Sequence, residues 1–311
     1  SVGSGTKYDG GHIEMTAGLS TAAAGGTGGA VSISTGEGEA SSSGAVIVKT
    51  LNAGASGVSG TLSFTSGTTS NGGSGRIRLA TGSATNGEGG DIIVSVGKSK
   101  TDAGGDVWVT AGHSEPFSGG AVSLTSGEGS TDTSGAVVIK TMNAGTSGVS
   151  GMLSFTSGTA SSGTSGHFNL FTGSATNGKG GDVLLSIGSG NTYSGGDIIV
   201  SAGETTQASK VGGSISVTAG YASATTGAIG GYYHVTAGRG QSFSGGSMSL
   251  TTGEGTHTTS GGIVLRTVNA GTSGVSGWLS FTTGTTSNGG SGKIRLATGS
   301  ATNGEGGDII V

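Results

Sequence analysis

The chain has 311 residues, 72 of them glycine, with one proline, no cysteine, 10% charged residues and a net charge of −4. This composition lies far from that of an ordinary globular domain and points to something periodic. It excludes disulfides and thiolate metal sites, and mild acidity argues against a nucleic-acid partner, which calls for a basic stripe.

The first residues, SVGSGTKYDGG, hold neither the charged nor the apolar region of a secretory signal. Any such signal is expected to have been removed already. No run of 18 apolar residues follows, so no membrane span is expected. Disorder is not expected either, because pairs of Val, Ile, Leu and Phe recur along the whole chain at low net charge.

From Gly10 onward a unit of about fifteen residues repeats, opening on Gly-Gly or Ser-Gly, as in GGDVWVTAGHSEPFS (104–118) and GGAVSLTSGEGSTDT (119–133). Nineteen complete units are followed by a partial twentieth, GGDIIV, and the chain is expected to be a piece of a longer array. The fourth and sixth positions of each unit are apolar, as in Val31 and Ile33, Leu62 and Phe64, Val107 and Val109, and Ile294 and Leu296. Period two predicts a strand with one face turned to a core. The eighth position is usually Ala, Ser or Thr, and the ninth is mostly glycine, expected to turn a corner at positive φ.

Residues 1–27 read as the end of a preceding block, 28–118 as a block of six units, 119–244 as a block of eight, and 245–311 as a truncated third. SGAVIVKTLNAGASGVSG (43–60), SGAVVIKTMNAGTSGVSG (134–151) and SGGIVLRTVNAGTSGVSG (260–277) mark the same place in each. Their Asn52, Asn143 and Asn269 read as corner residues, since Asn tolerates the left-handed region. Even unit counts fit two units per turn rather than three, and Ser-x-Thr in alternate units favours two unlike faces over one unit per turn. The expected architecture is all-β: one continuous parallel β-solenoid with neighbouring turns about 4.7–4.9 Å apart.

NGEGGDIIV (86–94 and 303–311) and NGKGGDVLL (177–185) are similar to the calcium repeats of β-roll toxins. That reading makes Asp91, Asp106, Asp182, Asp197 and Asp308 candidate Ca²⁺ ligands, against a plain glycine corner followed by a strand. Ser63/Thr65, Ser123/Thr125 and their counterparts invite an ice-binding face, which the rungs Ile93/Ser95 and Leu184/Ser186 interrupt. His12, His113, His167, His234 and His257 fall at unlike unit positions and read as solvated. Trp108, Trp278 and Tyr232 fall at outward positions, whereas Tyr233 falls at a core position. With no nucleophile elbow, HExxH or P-loop present, no catalytic residue, enzyme activity or cofactor is expected.

The phrase SGGAVSLTSGEGSTDTSGAVVIKT and its variants resemble the large Gly/Ser/Thr-rich repeat proteins of microalgae. The resemblance is one of repeat style over nearly the whole chain, and it implies an extracellular or cell-surface place. The expected function is a non-enzymatic rod or filament segment, with further copies of the array, or cell-surface polysaccharide, as partners. The alternative is an adhesin arm that takes carbohydrate, calcium or ice.

Overall fold

The computed structural model describes residues 10–22, 25–192, 194–224 and 226–311. The segment 1–27 is therefore described only from Gly10, without residues 23 and 24. Among the described residues there is no helix and no strand. The expected all-β parallel solenoid is overturned, and with it both two units and one unit per turn.

The reason lies in the reach of the main-chain hydrogen bonds. Nine backbone–backbone bonds join described residues, and the longest, Gly29 to Gly18 and Gly231 to Gly220, span eleven residues. A coil of one or two fifteen-residue units needs a ladder between residues at least that far apart, and no such ladder exists among the described residues. A folded protein carries about one internal hydrogen bond per residue, so nearly all of this backbone is left to water.

The surface area agrees. The molecule exposes 31120 Å² at a mass of 29.2 kDa. A compact monomer of that mass would expose about 11,000 Å² and its unfolded chain about 42,000 Å². No hydrophobic side chain among the described residues is buried. Two large apolar side chains per unit are too few to enclose a core, and abundant glycine raises the entropy lost on ordering.

The chain nevertheless has local order. Side chains alternate: Val107 and Val109 are 59% and 74% exposed, whereas Trp108 between them is 86% exposed. Residues two apart on the outward side touch: Thr16 Oγ1 donates to Glu14 Oε1 at 3.4 Å, and the Ser249 and Thr251 hydroxyls lie 3.5 Å apart. Alternation survives without a sheet because it belongs to the single chain.

The chain divides into two units, Ser1–Thr156 and Ser157–Val311, and one loop device recurs in each. The glycine at the second position of a repeat donates its N–H to the carbonyl of the ninth-position glycine of the preceding repeat. In the first unit the pairs are Gly29 to Gly18 (2.8 Å), Gly44 to Gly36 (3.3 Å), Gly120 to Gly112 (2.9 Å) and Gly135 to Gly127 (3.0 Å). In the second they are Gly213 to Gly203 (2.9 Å), Gly231 to Gly220 (2.9 Å), Gly246 to Gly238 (2.8 Å) and Gly261 to Gly253 (3.1 Å).

This closure explains two features of the repeat. The second position is glycine because a Cβ on Gly120 would lie 3.2 Å from the Gly112 nitrogen and 3.5 Å from the Ala111 Cβ. The eighth position is small because it faces that glycine: where Val96 and Ile187 stand instead, a Cβ on Gly105 or Gly196 would come within 2.7 or 2.8 Å of them. Among the described residues those two are also the least exposed large apolar side chains, at 47% and 46%.

The ninth-position glycines do not take positive φ. Gly25, Gly72, Gly163, Gly227 and Gly289 do, and all five lie later in their loops. Ser209, at φ 60°, is the one non-glycine residue there among those described, so Asn52, Asn143 and Asn269 are not left-handed corners either.

Hydroxyls and carboxylates tie the loops further. Ser99 Oγ accepts from the Asp102 N–H at 3.0 Å, and Ser114 Oγ accepts from the Phe117 N–H at 3.3 Å. These are turns of the side-chain-to-backbone kind.

The tightest loops carry a third glycine two residues after the ninth position. A Cβ on Gly129 would lie 2.5 Å from the Thr133 carbonyl oxygen and 2.6 Å from that of Asp132, whereas one on Gly127 would meet nothing within 4 Å. Gly129→Ala is therefore expected to open the 127–135 loop, and Gly127→Ala to leave it closed. Amide exchange at Gly135 checks this: protection of about two- to tenfold, as one net hydrogen bond of about 0.5–1.5 kcal/mol supplies, is lost only in the first variant.

Candidate functional site

Each of the five candidate aspartates follows a glycine pair at the third position of its repeat, and all five are exposed. Asp182 is paired with Lys179, whose Nζ donates to Oδ2 at 2.7 Å. Lys179 stands where Glu88 and Glu305 stand in the sister copies, so one candidate carboxylate is already matched by a cation. No group of three His, Asp or Glu side chains that could hold a metal ion exists among the described residues.

The other sequence candidates also stand apart. Trp108 and Trp278 are exposed in different units, and Tyr232 and Tyr233 are exposed side by side in the second. His234 Nε2 lies 2.6 Å from Thr236 Oγ1, and His257 Nδ1 lies 3.0 Å from Thr256 Oγ1; both partners are neighbours in the chain. Among the described residues no helix is long and apolar enough to cross a membrane.

A place that sequence reasoning treated as a corner holds a cavity. Arg266, Thr267, Val268 and Asn269 line an open space of about 360 Å³. Thr267 Oγ1 donates to the Gly277 carbonyl at 3.1 Å, tying residues ten apart. A Cβ on Gly277 would lie 3.2 Å from Thr267 Cγ2, so glycine there lets the loop close on the threonine. Thr50 with Gly60 and Thr141 with Gly151 repeat this approach, at 3.4 Å each.

The signal was present in the sequence as a basic residue, Thr, any residue, Asn, Ala and Gly at Lys49–Gly54, Lys140–Gly145 and Arg266–Gly271. Arg266 is among the described residues with no ion-pair partner, the single ion pair there being Lys179 with Asp182. With the Thr267 hydroxyl proton committed to the Gly277 carbonyl, the Arg266 guanidinium and the Asn269 carboxamide are the side-chain groups of this lining that can donate hydrogen bonds to an oxygen-rich ligand.

For calcium, the scattered carboxylates are expected to bind no tighter than the about 10⁻⁴–10⁻³ M of weak extracellular calcium modules. Asp91→Asn combined with Asp308→Asn should leave the calorimetric isotherm unchanged. A micromolar isotherm abolished by that pair would make calcium a ligand of the chain. No protein-family model, no curated protein and no solved structure matches the chain.

Proposed function

We propose that the chain is a non-enzymatic structural protein, a segment of an extracellular rod or filament that packs against further copies of the same array. The observation that carries this reading is the apolar side chains at the fourth and sixth positions, which recur in each repeat and stay largely exposed, as in Leu62 and Phe64 or Leu279 and Phe281. A soluble monomer rarely leaves so much apolar surface in a regular array, and such surface marks association. Of the nine backbone–backbone bonds between described residues, eight are loop closures and none joins two of these stretches, so a neighbouring chain is offered polar main-chain contacts beside the apolar ones.

Sequence identity supports the same reading. Residues 71–94 return as residues 288–311 with one change, Arg76 to Lys293. Copies of one surface along one chain suit a lateral contact made repeatedly. The resemblance in repeat style to the microalgal proteins supports the extracellular place.

Electron cryo-microscopy of the native material and sedimentation of the purified chain test the proposal together. Continuous filaments, and a purified chain that assembles as its concentration rises, are expected. Isolated rods ending in a globular head, or a chain that stays monomeric at every concentration, would overturn it. Phe64→Asp with Phe281→Asp should raise the concentration needed for assembly more than tenfold, since each buried aromatic contributes about 1.5–3 kcal/mol. Ile93→Asp, on the outward side, should change it far less.

A further inference from the structure

We infer that the three basic-Thr-x-Asn-Ala-Gly loops are binding sites for an anionic polysaccharide, each taking one carboxylate or sulfate ester at Lys49, Lys140 or Arg266. The inference does not depend on assembly, and its test is made on the unassembled chain.

Charge segregation is the first support. Although the whole chain carries −4, no Asp or Glu occurs from residue 40 to 87, from 133 to 181, from 205 to 253, or from 255 to 304. The three loops lie in the first, second and fourth of these acid-free stretches. Lys49, Arg76 and Arg78 lie in the first, Lys140 and Lys179 in the second, Lys210 and Arg239 in the third, which has no such loop, and Arg266, Lys293 and Arg295 in the fourth. An anionic chain near any of these loops meets cations with no carboxylate of the same stretch to repel it.

Geometry is the second support. The cavity beside Arg266, at about 360 Å³, lies at the lower end of the size range of small-molecule pockets, about 300–1,000 Å³. That suits a single sugar residue of a longer chain entering an open cleft. Arg266 presents five N–H donors in a fork that matches a carboxylate or sulfate, and Asn269 adds an amide donor and acceptor for a neighbouring hydroxyl. The bond from Thr267 to the Gly277 carbonyl holds the far wall of the loop in place.

Polysaccharide is favoured over nucleic acid by the sparseness of the cations. Binding a phosphate backbone takes a run of contacts along one face, whereas each loop here offers one cation. A polymer bearing a charge on each sugar can engage several such loops and gain avidity.

Calorimetry on the full chain, below its assembly concentration, uses polygalacturonate as the carboxylate probe, carrageenan as the sulfate probe, and neutral dextran and double-stranded DNA as comparisons. Saturable binding of one or both anionic polysaccharides is expected, with none to dextran, and the stronger arm identifies the anion. Lys49→Ala, Lys140→Ala and Arg266→Ala together should weaken it at least tenfold, whereas Lys98→Ala, Lys100→Ala and Lys210→Ala, with the same loss of charge, should weaken it less than twofold. Equal weakening by the two sets, binding to dextran, tighter binding to DNA, or no binding to either polyanion would overturn the inference.

Discussion

The hydrogen bond from a second-position glycine to the ninth-position glycine before it is the interaction from which the local order follows. It fixes where the chain turns back on itself and limits what can stand at three positions at once. The donor must be glycine, because its Cα sits against the preceding glycine nitrogen; the eighth side chain must be small, because it faces that donor. In the tightest loops a third glycine, such as Gly129, gives room to the carbonyls of Asp132 and Thr133. Loop closure thus requires glycine at the second position and at the third glycine of the tightest loops, left-handed backbone accounts for a few more, and neither accounts for the ninth-position glycines such as Gly127.

A closure of eight to eleven residues is entropically inexpensive, and among the described residues no backbone–backbone bond joins one segment between loops to another. Those segments present apolar side chains on one side and hydroxyls, charges or aromatics on the other. Neither side meets a second layer within reach of the local bonds. The surplus of unpaired backbone and half-covered Val, Ile, Leu and Phe is what an assembling chain would bring to its neighbours. The same surplus would be a liability for an isolated soluble domain.

Chemistry along the chain is as local as its geometry. Asp182 finds its cation three residues away, and His234 and His257 find threonines two residues away or next to them. What is not local is the distribution of charge, which gathers acids at glycine corners such as Asp91 and Asp308 and keeps them out of long stretches around Lys49, Lys140 and Arg266. A single figure for net charge conceals this arrangement, and with it the surfaces that would meet an anionic polymer.

The unit, its period-two alternation and the small eighth residue were legible from residues such as Val107, Val109 and Ala111, because alternation and loop spacing are properties of one chain segment. The recurrence of Lys or Arg followed by Thr-x-Asn-Ala-Gly was legible too, though not that Arg266, Thr267 and Asn269 border a cavity, which depends on how the loop to Gly277 folds over Thr267. Alternation alone suggested a stacked solenoid, but stacking requires bonds between residues a full coil apart, and sequence pattern carries no energy term for that distance. Tertiary structure decided that the bonds stop at eleven residues and that Val107 and Val109 stay open to water. Two large apolar side chains per glycine-rich repeat do not repay the entropy of ordering a second wall within the same chain.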